Sequence, residues 1–335
     1  MRQVRAGLGP VVAAAAVLAL AGCGGSESPD ATPSPSGTVT AAPSHTPSRT
    51  PSHSPSHSPG ASHSTTATPS PRPEVTKVLV FVLENHSLDA MRAQLPYTFS
   101  LAQRYGYATG YRGVAHPSLP NYLAILGGST FGVVDDHDPS SHPIAGTSVF
   151  GQALAAGHTA GLYAEGMPAP CATANGGERY AVRHNPWAYF VDERASCERY
   201  DVPLTSLAGD VAAGRLPDVG LVIPDTCNDA HDCDAAVADA WLRDQLEPVL
   251  AGPDWRSGRL AIVVTADEDH YDQDNLVLTT VLHPSLDGVV VDSPLTHLSL
   301  SRFLDEVLGL PALREAAGAP SMAEAFRLSV AGLGG

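Results

Sequence analysis

The chain has 335 residues, of which 35 are acidic and 19 are Lys or Arg, giving a formal net charge of −16. Such a surplus of carboxylates repels nucleic acid and anionic bilayers, so a phosphate-backbone binder is excluded. With 43% hydrophobic residues the chain can still bury a substantial core.

The first element in chain order is a targeting segment. Arg2 and Arg5 form a positive n-region, and Val11 to Leu20 form an apolar stretch too short to span a bilayer. It ends in Leu20-Ala-Gly-Cys23, which resembles the lipobox of bacterial lipoproteins, where the cysteine is acylated and becomes the first mature residue. The expectation is an exported protein held to the outer face of the cytoplasmic membrane through a lipid on Cys23, with residues 1–23 as the signal peptide. An ordinary cleaved signal peptide, giving a secreted protein, is the alternative. Residues 24–73 are Ser, Pro, Thr, Gly and His with almost no apolar side chains, a composition that cannot offset its own ordering entropy. This stretch reads as a solvated tether. His45, His53, His57 and His63 could bind metal there, but with no carboxylate or cysteine close by a plain spacer is the better reading. Residues 74–335 then form one domain. Residues 1–73 contain four Arg and two acidic groups, which leaves that domain near −18.

Within the domain, apolar runs of strand length alternate with helical patterns. Lys77–Leu83, Thr159–Ala164, Val219–Ile223, Leu260–Ala266 and Leu276–Leu282 read as strands buried on both faces. Val237, Trp241, Leu242, Leu246 and Val249 mark a helix that Asp234 could cap. Leu300, Phe303, Leu304, Val307 and Leu308 mark another, with Gly309 at its stop. The alternation predicts an α/β sandwich with a mostly parallel central sheet, whose ligands bind beyond the carboxyl ends of the strands. Cysteine usage agrees with export: without Cys23, four remain, and chain order pairs Cys171 with Cys197 and Cys227 with Cys233. Loop closure would contribute about 3.5 and 2.4 kcal/mol respectively. A cysteine-ligated zinc site is the rival, weakened by the lack of CxxC spacing.

Three of these strands run directly into polar clusters: Glu84-Asn-His-Ser-Leu-Asp89, Pro224-Asp-Thr-Cys-Asn-Asp-Ala-His-Asp-Cys-Asp234, and Asp267-Glu-Asp-His-Tyr-Asp-Gln-Asp-Asn275. One such cluster is usually a solvated turn; three on one sheet edge point to a divalent metal ion held by hard oxygen donors and histidine. Ser118, beside His116 and fenced by Pro117 and Pro120 at the start of an apolar helix, would gain from such an ion. Coordination lowers a hydroxyl's pKa, and unpaired N–H groups at a helix start favour a phosphoryl group. The plain alternative for Ser118 is a helix N-cap.

The ordered set ENHSLD, HPSLPNYLAILGG, RHNPWAYF, NDAHDC, DED and THLSLSRFLDEVLG resembles the phosphoesterase and acid phosphatase family of the alkaline phosphatase-like superfamily. That group includes a phosphatidylinositol 3-phosphate phosphatase and a phospholipase C branch. The resemblance covers about Lys77 to Leu310 and implies an alkaline phosphatase-like three-layer sandwich. It further implies a metal-dependent phosphomonoesterase with Ser118 as nucleophile, and metal-site residues Glu84, Asn85, Asp267 and Glu268 alongside it. His116, His184, Asp229, His231 and His297 match residues expected around the phosphate. Two departures stand out: Pro224-Asp225 replaces the usual Pro-Asn, and His270 stands where a further Asp is common. The alternatives are a phosphodiesterase of the phospholipase C type and a non-catalytic metal- or ligand-binding surface module, which would have no need of the serine.

Overall fold

The computed structural model describes residues 74–177 and 179–333. The signal peptide, Cys23 and the tether lie outside the described residues.

Among the described residues ten strands are formed: β1 (Lys77–Leu83), β2 (Gly106–Ala108), β3 (Tyr111–Arg112), β4 (Ala160–Ala164), β5 (Asp201–Pro203), β6 (Val219–Ile223), β7 (Leu260–Ala266), β8 (Thr279–Leu282), β9 (Val289–Val291) and β10 (Leu295–Thr296). Eight of them build one sheet in the order β5-β4-β6-β1-β7-β8-β2-β9, and β10 pairs with β3 separately. β5, β4, β6, β1 and β7 are mutually parallel, and β8 runs antiparallel to both β7 and β2. β1 and β7 are in register from Lys77 opposite Leu260 to Leu83 opposite Ala266, so the two strands end level.

The apolar continuity of these strands follows from burial on both faces. Every β1 residue after Lys77 is buried, as is every residue of β7. Phe81 meets Trp241 of the Ala235–Leu250 helix edge-on at 6.3 Å, which fixes one helical layer. The other layer centres on the His297–Val307 helix, which buries Leu300, Phe303, Leu304 and Val307 in the same core. Each large apolar side chain so enclosed contributes about 1.5–3 kcal/mol. The result is the expected mostly parallel α/β sandwich. The domain's ends meet, since the Val75 N–H donates to the Ser329 carbonyl at 2.8 Å.

Several local expectations change. Asp234 occupies the N-cap of its helix but its side chain accepts no capping bond, and Val237 is 40% exposed. The inward face uses Ala235 and Ala238 instead. The final apolar run starts its strand at Thr279, because Leu276 is drawn aside into an isolated bridge with Arg112. The short strands β2, β3, β5, β9 and β10 were not expected. They hold two or three residues each, too few for a period to register. Both expected disulfides, Cys171–Cys197 and Cys227–Cys233, are formed, so neither pair supplies thiolates to a metal.

Candidate active site

β6, β1 and β7 are neighbours at the centre of the sheet, and their carboxyl ends deliver the three polar clusters to one edge. Backbone bonds lace these ends together: Asp267 N–H donates to the Leu83 carbonyl at 3.0 Å, and Glu84 N–H to the Asp229 carbonyl at 2.9 Å. Asn85 has φ 43°, a left-handed conformation that turns the chain sharply after Glu84 and aims its N–H at Asp267 Oδ1, 3.2 Å away.

Glu84 is the hub. It is fully buried; its Oε2 accepts from Ser118 Oγ at 3.0 Å and its Oε1 from Tyr122 Oη at 2.6 Å. His184 bridges two carboxylates, with Nε2 3.1 Å from Glu84 Oε1 and Nδ1 3.2 Å from Asp229 Oδ2. Neither of those contacts has hydrogen-bond alignment, and His184 Nε2, Asp229 Oδ2 and Asp267 Oδ2 are all buried without partners. Unpartnered buried nitrogen and carboxylate oxygen atoms are costly in a protein interior unless something else binds them. Glu84, His184 and Asp229 each offer a ligand atom within 4.8 Å of the others, and that donor set fits a divalent cation.

The electrostatics agree. Burial, together with Asp267 and Asp229 nearby, pushes the Glu84 carboxyl up to about 8. Burial and then the Glu84 charge raise Glu268 to about 8 as well. Burial lifts Asp229 to about 7, and raises Asp267 well above the carboxylate range with Glu268 adding to it. Burial also lowers His184 to about 4, holding the imidazole neutral and free to ligate. Like charges crowded out of water favour protons unless a cation replaces them.

Ser118 begins the Ser118–Gly127 helix, and Pro117 takes the N-cap position, so the serine is not a capping residue. The expected row of unpaired N–H groups is reduced, however. Leu119 N–H is taken by Asp136 Oδ1 at 2.9 Å, and Pro120 has none to offer. Asn121, one turn on, stitches the approach to the serine. Its Oδ1 accepts from the N–H groups of Val114 and Ala115, and its Nδ2 donates to Glu268 Oε2 at 3.2 Å.

His116 lies between two acids, with Nδ1 3.0 Å from Glu268 Oε2 and Nε2 3.2 Å from Asp269 Oδ1, and stacks on Tyr271 at 3.9 Å. Gly113 lets these segments close, because a Cβ there would stand 2.6 Å from the Asp267 carbonyl oxygen. His231 sits at the rim with its ring 6.2 Å from that of His184, and its Nδ1 is 2.7 Å from Asp232 Oδ1. His297 is buried behind the cluster, its Nε2 2.5 Å from the Asp267 carbonyl and its Nδ1 2.9 Å from Tyr111 Oη. Both of its nitrogens are thereby engaged, so in this conformation it supports Asp267 and does not face the serine. Of the two departures, Asp225 caps its own turn through the N–H groups of Cys227 and Asn228, and His270 is exposed.

Asn121, Tyr122, Asp136, Arg183 and Asp269 belong to this edge and were not singled out. Asn121 and Tyr122 sit inside the quoted serine motif, where their apolar neighbours made them read as helix core. Arg183 precedes His184 and is the cation of the site, with its side chain 3.2 Å from His231 Nε2 and 3.9 Å from Asp136 Oδ2. Asp136 has no local signal, since only the tertiary fold sets it against Leu119. A cavity of about 890 Å³ lies elsewhere, lined by Lys77, Ala160 and Asp218 near the amino ends of β1, β4 and β6, far from this chemistry.

Residues 90–289 match the model of the Phosphoesterase family. The chain belongs to that family. Glu84, Asn85 and His297 lie just outside the matched span. The phosphatidylinositol-3-phosphatase of Mycobacterium tuberculosis is 30% identical to this phosphoesterase over 271 residues, spanning 79% of this chain and 87% of that one. The phosphate-repressible acid phosphatase of Penicillium chrysogenum is 30% identical over 217 residues, 61% of this chain and 52% of its own. An acid phosphatase of Aspergillus fumigatus is 30% identical over 220 residues, 61% and 48% respectively. The chain thus spans about half the length of these fungal relatives. A solved member of the alkaline phosphatase superfamily from Vibrio parahaemolyticus shares the fold, with a TM-score of 0.50 at 10% identity over 71% of this chain and 67% of that one. This phosphoesterase is a hydrolase acting on phosphoric monoesters.

Proposed function

We propose that the chain is a metal-dependent phosphomonoesterase in which Ser118 is the nucleophile, and that its substrates include phosphoinositide head groups. The observation that carries this reading is the buried Ser118 Oγ held 3.0 Å from Glu84 Oε2, within a cluster of buried carboxylates whose Asp229 Oδ2 and Asp267 Oδ2 have no hydrogen-bond partner. Glu84, His184, Asp229 and Asp267 would hold the ion, with Asn85 and Glu268 beside them. Once bound, a divalent ion lowers the pKa of the serine hydroxyl and offsets charge developing on the phosphoryl oxygens.

The residues of the chain divide the remaining work. Glu84 and Tyr122 fix the position of the serine, and Asn121 rigidifies the approach to it. Ser118 Oγ gives up its proton to solvent and forms a bond to phosphorus while the ester oxygen departs and takes up a proton; water then cleaves the phosphoserine, releasing inorganic phosphate and restoring the hydroxyl. Arg183, at the rim among acids, is placed to attract a substrate dianion and hold it. His116 and His231, both reachable from solvent, are the candidates for donating a proton to the leaving alkoxide.

The relative named for phosphatidylinositol 3-phosphate supports a phosphoinositide substrate, and its coverage of both chains favours that reading over the diesterase. Residues 1–22 would be removed, leaving an acylated Cys23 as the first mature residue, and residues 24–73 would tether the catalytic domain, 74–335, outside the membrane. An r.m.s. reach on the order of 40 Å leaves the site free to meet soluble esters. The disulfides are consistent with export.

The test is Ser118→Ala, assayed on a chromogenic phosphomonoester and a diester side by side, with and without chelator. Turnover of the monoester should vanish in a variant with unchanged melting behaviour, and a phosphoserine should be trapped at Ser118 by acid quench of the wild type. Near-normal turnover in folded Ser118→Ala would remove the assignment.

A further inference from the structure

The segment that delivers Asp136 to the nucleophile helix carries a second group of metal-competent side chains, separate from the cluster around Glu84. Asp135, His137 and His142 each offer a ligand atom within 4.8 Å of the others. His137 Nδ1 is 2.9 Å and His142 Nε2 is 2.5 Å from the same oxygen, Asp135 Oδ1, which also accepts the His137 backbone N–H at 3.0 Å. The His142 ring and the His137 backbone N–H hydrogen-bond that oxygen and take up its two lone pairs, so the His137 ring nitrogen stands close to it without a hydrogen bond. The two imidazole rings stand 6.1 Å apart at 41°, so neither stacks on the other and both nitrogens turn to the shared oxygen.

The backbone holds these groups in place. Tyr189 Oη donates to the His137 carbonyl at 3.0 Å, Ile144 N–H to the Tyr189 carbonyl at 2.9 Å, and Asp138 accepts from Ser140 Oγ at 2.6 Å. With the segment fastened on both sides of the trio, little conformational entropy is left to lose when an ion binds. Side-chain exposures of 38% for Asp135, 70% for His137 and 21% for His142 leave the ion a path from solvent.

We propose that Asp135, His137 and His142 form a second cation site that takes zinc, with water completing a tetrahedron. Two imidazoles and a carboxylate suit zinc, whereas magnesium and calcium select oxygen-rich cages. The site is a positioning device. Asp135 is covalently next to Asp136, whose Oδ1 holds Leu119 N–H at 2.9 Å beside Ser118, so an ion that fixes Asp135 fixes the anchor of the nucleophile helix. None of its ligands belongs to the catalytic cluster, and the proposal does not depend on the phosphatase mechanism.

The experiment uses the full chain in four forms: wild type, the double variant His137→Ala/His142→Ala, Asp135→Asn, and the active-site variant Glu84→Gln. Zinc equivalents per chain are counted after titration against a competing chelator. The double variant should bind one equivalent fewer than wild type, Asp135→Asn should bind it at least about ten-fold more weakly, and Glu84→Gln should retain it. Hydrogen exchange across residues 133–145 should slow on adding zinc to wild type and Glu84→Gln, but not to the double variant. Equal zinc counts in wild type and the double variant, or exchange that ignores zinc in wild type, would leave only a hydrogen-bonded triad and overturn the site. The trio lies on the surface and outside the core, and Asp135→Asn keeps its shape, so a misfolded double variant would not remove the test.

Discussion

Replacing Glu84 by Gln separates the metal-holding role of this carboxylate from its place in the fold. Burial and neighbouring acids raise Glu84 from 4.5 to about 8, so in the ion-free protein at pH 7 it carries a proton. A shift of that size corresponds to about 5 kcal/mol of disfavoured ionisation. Glutamine copies the shape of the protonated form, so the ion-free stability should change by no more than about 1–2 kcal/mol, the cost of one imperfect contact with Tyr122 or Ser118. The ion-bound state behaves differently. An ion at a hundred times its dissociation constant stabilises the wild type by about 2.7 kcal/mol, which raises the melting temperature of a domain this size by about 5–10 °C. Glu84→Gln should lose most of that rise and at least about 10³-fold in kcat. The linkage has a definite sign. With a folded pKa above the unfolded one, Glu84 supports the ion-free fold fully below about pH 4.5 and withdraws that support as pH rises toward 8. The variant should lack this slope. Differential scanning calorimetry from pH 4.5 to 8, with chelator and with added divalent ion, measures each quantity. A Glu84→Gln protein that keeps the full ion-induced rise, or wild-type turnover, would refute the assignment.

Arg183→Met should raise KM for a phosphomonoester by about ten- to a hundred-fold with a smaller change in kcat, as expected for loss of a charge-assisted contact to substrate; steady-state kinetics at two salt concentrations would expose any other pattern. Asp201 is fully buried and raised by desolvation to about 7, so its contribution to stability falls as pH rises from about 4 to 7, and Asp201→Asn should flatten the pH profile of stability in that window by an amount on the order of 4 kcal/mol. An unchanged pH profile would count against this burial. Reducing both disulfides should destabilise the domain by about 3–6 kcal/mol, the larger part through Cys171–Cys197, which closes a separation of 26 residues against 6; denaturant unfolding of Cys171→Ala/Cys197→Ala and Cys227→Ala/Cys233→Ala gives the division. Tyr122→Phe removes the 2.6 Å bond to Glu84 while keeping the ring, and should lower kcat by about ten-fold and stability by about 1–3 kcal/mol, both measurable in a single preparation.

The amino-acid sequence by itself determined the sheet and the edge that carries the chemistry. Strands buried on both faces must be apolar throughout, so β1, β6 and β7 are visible as unbroken runs, and the polar groups that follow each run can only emerge where the strand ends. The Ser118–Gly127 helix was legible for a related reason, since its apolar run stops at Gly128, whose φ of 67° closes it. What the tertiary structure alone decided is which of these groups touch. Glu84 reaches Ser118 34 residues away and His184 100 residues away, and no local pattern records either pairing. Asp136 takes Leu119 N–H, which a helix start by itself leaves free, and His297 turns both nitrogens to Tyr111 and the Asp267 carbonyl. The reason is physical. Period and composition report how each segment meets water, whereas hydrogen bonds and carboxylate pKa values depend on distances of a few ångströms between segments that only the packed sheet brings together.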